Sequence, residues 1–405
     1  MRDKQETSGI YAVDAAVEKP APEKKSNLFL RLLAFLLTLA LMLGAVTLVV
    51  YRDKVSLDAL RRKLTYRALE RSDSGQAESF RHDSSVKDSF VAVGDKLLVS
   101  SGAGIRLYSG SGTQYAAQQA VLDSPVAQAA GSFALVYNAG GRSLFAYHDK
   151  DEEILALDET DGDILSARVN SLGYLAVTTR ASGYKGSVTM YDDSLSPILQ
   201  LNLSSSFLTD ALVSVDGKNL AAITMGQGES GFQSTLALYA LARTADQTGP
   251  DAVCPLGSNL VLDLAEDAAG YWALGDLSLT LADHSGALVG SYDYGGRYLK
   301  EFSLGGDNFA ALLLGKYRAG TVADLVVVDS TGAAATLAVN EQVLSLSAAG
   351  RYLAVLTADR LDLYTSDLTP YATLTGTQGA RKVLMRPDGT ALLIDSSTAR
   401  LYIPA

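Results

Sequence analysis

An acidic run between Asp149 and Asp163 is the first feature that could do chemistry, because eight carboxylates lie within fifteen residues. Calcium takes six to eight oxygen ligands, and Asp158, Asp161 and Asp163 in the DETDGD segment offer a weak candidate site for it. Their spacing does not follow the EF-hand loop. A solvated acidic rim explains the same run without a metal, and it is the interpretation that we favour.

The chain has only three histidines and one cysteine, which leaves little material for a zinc site or a proton relay. His82 lies in a candidate edge strand, and His148 and His284 lie in candidate turns, so we expect all three to be solvated and far apart. Cys254 alone excludes an intramolecular disulfide and a thiolate metal cluster. No cation lies near it in sequence, and we expect an inert or partly exposed thiol.

Charge is distributed unevenly along the 405 residues, whose formal net charge is −11. Residues 1–79 carry 13 Lys and Arg against 10 Asp and Glu, whereas residues 80–405 carry 21 against 35, a net charge of −14. An acidic domain repels phosphate backbones, so we expect no nucleic-acid partner. Hydrophobic residues make up 48% of the chain, which excludes disorder of the whole molecule.

Past residue 80 the chain consists of short hydrophobic runs separated by Gly, Asp and Ser, which is typical of strands and turns. One strand-end position recurs eight times at an average interval of 42 residues, and six of the eight residues are tyrosines. The positions are Tyr108, Tyr147, Tyr191, Tyr239, Ala282, Val328, Tyr364 and Tyr402. We expect these side chains to pack between neighbouring repeats rather than to bind a ligand.

A second recurrence has the same average interval and supports the first. It is a turn glycine before a hydrophobic strand, at Gly94, Gly131, Gly173, Gly217, Gly270, Gly306, Gly350 and Gly389. Repeats of ~40–45 residues with several short strands are typical of β-propellers, which close with about four to eight blades. The sequence therefore predicts an all-β, eight-bladed β-propeller over residues 76–405, with seven blades as the alternative.

The last repeat lacks one strand before Ala405, and this predicts how the ring closes. The spare segment Glu78–Ser84 precedes the first repeat and could supply the outermost strand of the last blade. The longest repeat contains residues Ala242–Ser258, which we expect to form an extended loop.

The segment Leu28–Tyr51 is apolar apart from Arg31, and its last twenty residues carry no charge. At ~1.5 Å per residue, a helix of that length covers the ~30 Å hydrocarbon core of a bilayer. A cleaved signal peptide would have a shorter apolar region and a small-residue cleavage site, which is absent before Arg52. We therefore predict a single transmembrane helix that binds the lipid bilayer over residues 28–51, after a disordered cytoplasmic tail of residues 1–27. A buried soluble helix is the alternative.

Residues 52–75 predict a basic amphipathic helix followed by a hinge. Ser56 can cap a helix that continues to about Glu70, and the hinge is Ser72–Gly75. An apolar stripe is formed by Leu57, Leu60, Leu64 and Ala68. The helix could lie on anionic headgroups, or it could be a spacer packed against the ring, and the sequence leaves both open.

Several segments carry a family resemblance. DGKNLAAI (216–223) and RPDGTALLI (386–394) resemble the turn-strand motif of many bacterial propellers, and ALDETDGDIL (156–165) resembles quinoprotein-type repeats. WD-repeat proteins are a poorer match, because no Trp-Asp or Gly-His pair occurs. The whole layout, from the basic tail to GDKLLVSSGAGIRLYSGSG (94–112), resembles a family of bacterial membrane-anchored propeller proteins of unknown function. The resemblance implies a propeller outside the cytoplasm and carries no catalytic residues.

Topology does not follow from the flanking charges alone, because more cations follow the predicted membrane helix than precede it. Long domains translocate largely regardless of charge, and the resemblance favours an extracellular propeller. We therefore predict a protein of the cell membrane with a cytoplasmic N-terminus.

The function predicted from these features is a non-catalytic binding or scaffolding module of the cell envelope, with no cofactor and with a protein or envelope polymer as partner. Trp272 is the only tryptophan, which argues against quinone-dependent dehydrogenases. The alternative is an envelope enzyme with a carboxylate-lined site at the propeller tunnel, and a sensor is a third possibility. Three or more Asp, Glu, His or Arg side chains converging on the tunnel would favour the enzyme.

Overall fold

The computed structural model describes residues 32–39, 41–42, 57–67, 69–83, 87–149, 153–157, 159–228, 231–244 and 247–404. The chain divides into two compact units, one ending at Leu57 and the other beginning at Asp58. The second unit contains helix α1 (Leu57–Thr65, apart from its first residue) and thirty-two described strands, β1 to β32.

The strands are short and follow one another in chain order. The first half comprises β1 Phe80–Arg81, β2 Ser89–Val93, β3 Lys96–Ser101, β4 Gly104–Tyr108, β5 Gln114–Gln119, β6 Pro125–Ala130, β7 Phe133–Asn138, β8 Leu144–His148, β9 Glu153–Leu157, β10 Ile164–Val169, β11 Leu175–Thr179, β12 Gly186–Tyr191, β13 Pro197–Leu203, β14 Phe207–Val213, β15 Asn219–Gly228 and β16 Gly231–Ala240. The second half comprises β17 Ala252–Gly257, β18 Val261–Asp267, β19 Gly270–Gly275, β20 Ser278–Ala282, β21 Leu288–Asp293, β22 Tyr298–Gly306, β23 Phe309–Gly315, β24 Ala323–Asp329, β25 Ala334–Val339, β26 Val343–Ala349, β27 Tyr352–Thr357, β28 Arg360–Thr365, β29 Pro370–Thr375, β30 Lys382–Met385, β31 Ala391–Ile394 and β32 Thr398–Tyr402.

Local turn chemistry separates these strands. In blade after blade an aspartate begins the turn between the third and fourth strands, and its carboxylate accepts backbone N–H groups two and four residues later. Asp283 accepts those of Ser285 and Ala287 at 2.8 and 2.9 Å, and Asp329 repeats the pattern. Three residues after the aspartate the backbone adopts a positive φ, and that residue is Gly286 or Gly332 (both φ 83°) in blades 5 and 6 and Leu195 (φ 60°) in blade 3. These turns end each strand after a few residues, which explains why the strands are short.

The described strands form eight four-stranded antiparallel sheets, which confirms the predicted eight-bladed β-propeller. We number the blades from β2–β5 (blade 1) to β26–β29 (blade 7), and blade 8 contains β30, β31, β32 and β1. The first strands of successive blades contact one another, so they surround the axis of the ring.

Blade 8 closes the ring as the sequence predicts. Strand β1 pairs with β32, with Phe80 opposite Ala399 and Arg81 opposite Thr398. Gln76 forms an additional bridge to Tyr402. The Phe80 ring packs 5.8 Å from that of Tyr108 in blade 1. The two ends of the domain therefore lie in one sheet, and the seven-bladed alternative is wrong.

The core lies between the blades, where small and large side chains interlock. Alanines recur in the second strands at Ala134, Ala176, Ala221, Ala273, Ala310 and Ala354, and all are buried. Five of the six repeating tyrosines are buried in the clusters between or within blades, and Tyr364 is partly buried. The packing role predicted for these tyrosines is thus confirmed.

The propeller has two faces, which we name by their connections. The face with the turns from first to second and from third to fourth strands also carries α1, and we call it the helix face. The connections from second to third strands and from one blade to the next lie on the opposite face, the loop face. This naming follows from the antiparallel strand order and from the contacts of α1 described next.

Helix α1 packs on blades 7 and 8 through polar side chains. The Arg62 guanidinium, 2% exposed, donates to the Asp388 carbonyl and to the Tyr371 hydroxyl, both at 2.7 Å. The Asp58 carboxylate accepts the Tyr352 hydroxyl at 2.9 Å, and the Tyr66 hydroxyl donates to Asp388 at 2.9 Å. This polar row at every fourth residue is the buried side of the helix.

Two predictions about this region need correction. The helix ends at Thr65 rather than near Glu70, and a tight turn that includes Gly75 (φ 83°) follows at the predicted hinge. Leu64, a member of the predicted apolar stripe, is 68% exposed. The side chains of Leu57 and Leu60, and residue Ala68, lie outside the described residues. Of the two alternatives, the structure shows the spacer helix packed against the propeller. The side of the helix that carries Arg62 and Tyr66 is buried, because these side chains form hydrogen bonds with blades 7 and 8.

Apart from Leu57, the first unit is described only over residues 32–39 and 41–42, which are helical and exposed. Within the described residues, no helix combines the length and apolarity needed to cross a membrane. The rest of the predicted transmembrane segment 28–51 and the whole tail 1–27 lie outside the described residues.

The extended loop predicted over Ala242–Ser258 is partly wrong. Its second half forms β17, the outer strand of blade 4, which pairs with β16. Pro255 lies within the pairing opposite Thr235, and the register shifts between Ser234 and Thr235. The extra length of this repeat suggested a loop, but an outer strand can include Pro255 because it tolerates a residue without an N–H group.

Candidate functional site

Polar side chains line the axis at one repeated structural position. The first strands of blades 3 to 7 each have a β-bulge, and the residue immediately after the bulge is polar in every case. These residues are Ser166, Asp210, Asp263, Glu301 and Ser345. Bulges change the direction of side chains and are common beside functional sites. These five residues are therefore the candidate site in the tunnel.

Arg168 gathers two of these carboxylates. Its Nε lies 2.9 Å from both oxygens of Asp210, and its terminal nitrogen lies 2.6 Å from the Asp263 carboxylate. The Ser166 hydroxyl also donates to Asp210. One guanidinium therefore joins the first strands of blades 3, 4 and 5.

The charges of this cluster compensate one another. Burial lowers the pKa of the Arg168 guanidinium, but the charges of Asp210 and Asp263 and their hydrogen bonds outweigh burial and raise that pKa. Each carboxylate also accepts the backbone N–H of the residue that follows it, Ala211 or Leu264, at 2.9 Å. Such a convergent cluster is the feature that favours the enzyme alternative, and the structure does contain it.

Glu301 and Lys382 bring opposite charges to the axis from blades 6 and 8. Burial raises the pKa of Glu301 and lowers that of Lys382, and the mutual attraction of the two groups opposes both shifts. The Lys382 ammonium lies 6.0 Å from the centre of the Phe90 ring in blade 1. The described residues that line the tunnel therefore carry both positive and negative charges. They do not form a surface of one sign that would attract an oppositely charged ligand.

The three histidines lie far apart in the fold, but one differs from its prediction. His82 is buried rather than solvated, because the strand that follows it into blade 1 covers its ring. Its Nδ1 lies 2.7 Å from the Asp83 carbonyl, and its ring meets Phe90 edge-on at 5.3 Å. His148 stacks on Phe133 with ring centres 4.3 Å apart. The half-exposed imidazole of His284 agrees with its prediction.

His284 borders a buried carboxyl on the helix face. Its Nε2 lies 3.4 Å from the Glu266 carboxylate, whose side chain is 3% exposed. The other oxygen of Glu266 accepts the Val215 N–H at 2.9 Å. Burial raises the pKa of Glu266 to about 7, and the charges of Asp216 and Asp267 add to this rise. The nearby Tyr271 hydroxyl is buried without a hydrogen-bond partner in the described part of the chain.

The candidate calcium ligands are only partly described. Asp158 lies outside the described residues. Asp161 and Asp163 contact side chains, since the Gln200 amide lies 3.5 Å from Asp161 and the Arg142 guanidinium lies 3.5 Å from Asp163. Among the described residues, no three His, Cys, Asp or Glu side chains are placed to hold a metal ion. The calcium site stays a prediction.

Cys254 and Trp272 are core residues. Cys254 lies in β17 and is buried, not partly exposed, and burial raises the pKa of its thiol. An inert thiol is what such an environment gives. Trp272 is fully buried between blades 5 and 6.

One cleft opens on the helix face between blades 2 and 3. Its volume is about 170 Å³, and its walls include Phe133, His148, Gly173 and Asp193. Sites for drug-sized ligands measure ~300–1,000 Å³, so the cleft is too small for such a ligand.

The loop face of blades 3 to 6 instead exposes large apolar side chains. They are Leu165, Tyr184, Phe207, Phe232, Leu260, Leu262, Leu277, Tyr298, Tyr317 and Val322. Each lies in a connection of this face or in the strand residues beside one. A concentration of exposed apolar residues on one face is typical of an interaction surface.

Residues 67–253 match a protein family of unknown function, DUF5711. The match begins just after α1 and ends within β17, so it covers blades 1 to 3 and nearly all of blade 4. The coarser part of the predicted resemblance, a propeller family of unknown function, thus has support. No curated protein matches the chain in sequence.

Solved propellers share the fold at low identity. The C-terminal WD40 domain of Sif2 superposes with a TM-score of 0.56 at 12% identity, covering 80% of this chain and 97% of that domain. BamB from Moraxella catarrhalis gives a TM-score of 0.52 at 12% identity, covering 81% of this chain and 99% of that protein. The chain has no Trp-Asp or Gly-His pair, so it resembles the WD40 domain in fold and not in these sequence motifs.

Sequence reasoning missed the tunnel residues. Each of these five first strands is largely hydrophobic but contains a polar residue near its start, as in TDALV around Asp210 and LDLAE around Asp263. Aligning the repeats on these strands would have shown a polar residue in five successive copies. The direction of the side chains depends on the bulges, which the sequence pattern does not reveal.

Proposed function

We propose that the protein is a non-catalytic binding or scaffolding module, anchored in the cytoplasmic membrane through residues 28–51, with its propeller outside the cytoplasm. The observation that carries the binding role is the exposed apolar surface on the loop face of blades 3 to 6. The polar groups at the tunnel are engaged with one another, so they leave the outer surface as the place for recognition.

The binding role is tested by photocrosslinking in intact cells. A photoreactive residue replaces Phe232 or Tyr317 on the loop face, and Arg61 or Lys63 on the exposed side of α1 serves as the matched control position. The proposal expects a discrete crosslinked partner from the loop-face positions and none from the controls. Equal crosslinking from all four positions would contradict it.

Anchoring and topology have their own test. The full chain is expected to stay with membranes after carbonate extraction, and a chain lacking residues 28–51 is expected to be released. Protease added to intact cells stripped of their wall is expected to digest the propeller and to spare the tail. Digestion of the propeller only after lysis would reverse the topology.

An envelope enzyme is the second candidate function, and the cluster of Arg168, Asp210 and Asp263 is the observation that favours it. Purified full-length protein would be tested against chromogenic glycosides, esters and phosphate monoesters. A turnover that disappears in Asp210→Asn and persists in the exposed variant Asp193→Asn would establish the enzyme. Absence of turnover with all three substrate classes agrees with the binding module.

A further inference from the structure

The loop between β23 and β24 displays an unusual set of side chains on blade 6. It spans residues 316–322, and Lys316, Tyr317 and Arg318 are all exposed. The Lys300 ammonium donates to the Gly320 carbonyl, and Gly320 adopts a positive φ of 99°. The loop is therefore fixed to the adjacent strand while its three large side chains point into solvent.

The cations of this loop rest on tyrosines rather than on carboxylates. The Lys316 ammonium lies 5.5 Å from the centre of the Tyr317 ring, and the Arg318 guanidinium lies 6.0 Å from that of Tyr298. Within the described part of the chain, no carboxylate oxygen lies within 4.0 Å of either cation. Although residues 80–405 have a net charge of −14, this loop therefore presents two cations that lack a carboxylate partner among the described residues, and this charge suits an acidic partner.

Exposed apolar side chains of blades 5 and 6 lie on the same face as these cations. We call them the blade 5–6 patch: Leu260, Leu262, Leu277, Tyr298, Tyr317 and Val322, whose exposed fractions range from 41% to 61%. Four of the six are aliphatic, and contact with another apolar surface is favourable for them because it removes their side chains from water.

We propose that the blade 5–6 patch, with Lys316 and Arg318, binds an acidic protein segment that also carries aliphatic side chains. This inference rests on the proposed binding function and names its surface and the chemistry of its partner. Carboxylates of the segment pair with the two cations, and its aliphatic side chains cover the leucines and Val322.

The same features argue against two other anionic partners. A polysaccharide offers carboxylates but no aliphatic side chains to cover the leucines, and a cation already occupies one face of each tyrosine. An anionic bilayer would suit both charge and apolarity. However, anionic headgroups attract clusters of ~4–8 Lys and Arg side chains, whereas this loop offers two cations in a domain whose net charge is −14.

The test uses the full-length protein in detergent micelles and a fluorescent fourteen-residue peptide of alternating glutamate and leucine as the probe. Fluorescence anisotropy is expected to give micromolar binding that weakens as salt rises. The double variant Lys316→Glu/Arg318→Glu is expected to weaken binding at least tenfold, and Leu277→Ser severalfold.

The matched control is Lys185→Glu/Arg180→Glu, which changes the same charge on the same face at blade 3. Binding that survives the control but not the blade 6 variant supports the proposal. Equal losses would mean that bulk charge alone attracts the peptide, and no binding by the wild-type protein would also overturn the patch assignment. Further probes are polygalacturonate and phosphatidylglycerol vesicles, and binding of either one in place of the peptide would overturn it.

A separate outcome concerns the proposed function itself. If the double variant keeps every loop-face crosslink that the wild-type protein forms in cells, the patch is wrong and the binding module still stands. If no loop-face position crosslinks in cells while the peptide binds in vitro, the patch has the proposed chemistry and the cellular role is wrong.

Discussion

The two faces of the propeller use the same residue types in opposite ways. On the helix face, Arg62 is buried against a carbonyl and a hydroxyl, and Glu266 is buried beside His284. On the loop face, Lys316 and Arg318 stay in solvent above tyrosine rings. Buried polar groups must be satisfied where they stand, whereas exposed cations remain available to a partner. The helix face therefore serves stability, and the loop face is suited to contact.

The largest effect is expected from opening blade 8. Deleting Ala399–Ala405 removes most of β32, so that β1 and β31 lose their partner strand and buried apolar surface is exposed. We expect an insoluble chain or a melting temperature at least ~10 °C lower, measured by calorimetry. Phe80→Ala, which keeps the backbone pairing, should cost about 3–5 kcal/mol. A truncated chain that melts no earlier than the full chain would show that the pairing of β32 with β1 and β31 does not hold the ring closed.

The next effect depends on pH and concerns Glu266. Its pKa is raised to about 7 by burial, above its ordinary value of 4.5 in the unfolded chain. Folding therefore favours the protonated form, and the protein loses this stability as pH rises from about 4.5 to about 7. Between pH 5 and pH 8 the wild-type protein should lose about 2–3 kcal/mol more than Glu266→Gln, measured by urea denaturation. Parallel pH profiles for the two proteins would contradict the buried carboxyl.

Detaching α1 should have a comparable or somewhat smaller effect. Arg62→Ala leaves the Asp388 carbonyl and the Tyr371 hydroxyl without their donor, at a cost of about 1.5–3 kcal/mol. Hydrogen exchange should show that residues 58–66 lose protection. Arg61→Ala, on the exposed side of the same helix, is the control and should leave protection unchanged. If both variants behave alike, the polar row does not fix the helix.

The smallest effect on stability is expected on the loop face. Tyr317→Ala and Leu277→Ser should change the free energy of unfolding by no more than about 0.5 kcal/mol, because both side chains are largely in solvent. The same variants should reduce partner contact. The change in stability is measured by the denaturant midpoint. A large loss would contradict the view that the helix face stabilises the fold and the loop face does not.

The ring itself could be predicted because its signals are local and repeated. The strand-end position that begins at Tyr108 and the turn glycine that begins at Gly94 recur at an average interval of 42 residues. The strand missing from the last repeat identified the segment around Phe80 as the one that closes the ring. Prediction failed where several local patterns competed. The extra length of the fourth repeat suggested a loop where β17 forms an outer strand, and the helical periodicity suggested a buried side chain at Leu64, which instead lies in solvent.

The sequence by itself determined the blade count, the closure and the acidic charge of the domain, since periodicity, strand count and composition need no knowledge of distant contacts. Only the tertiary structure decided which polar residues meet. Arg168 contacts Asp210 and Asp263 because three bulged strands turn these side chains toward one axis, and Arg62 meets Asp388 from more than three hundred residues away. A single inserted residue reverses the side of a strand on which a side chain lies, and the closure of a ring brings distant residues together. Both are properties of the assembled sheets rather than of any one segment.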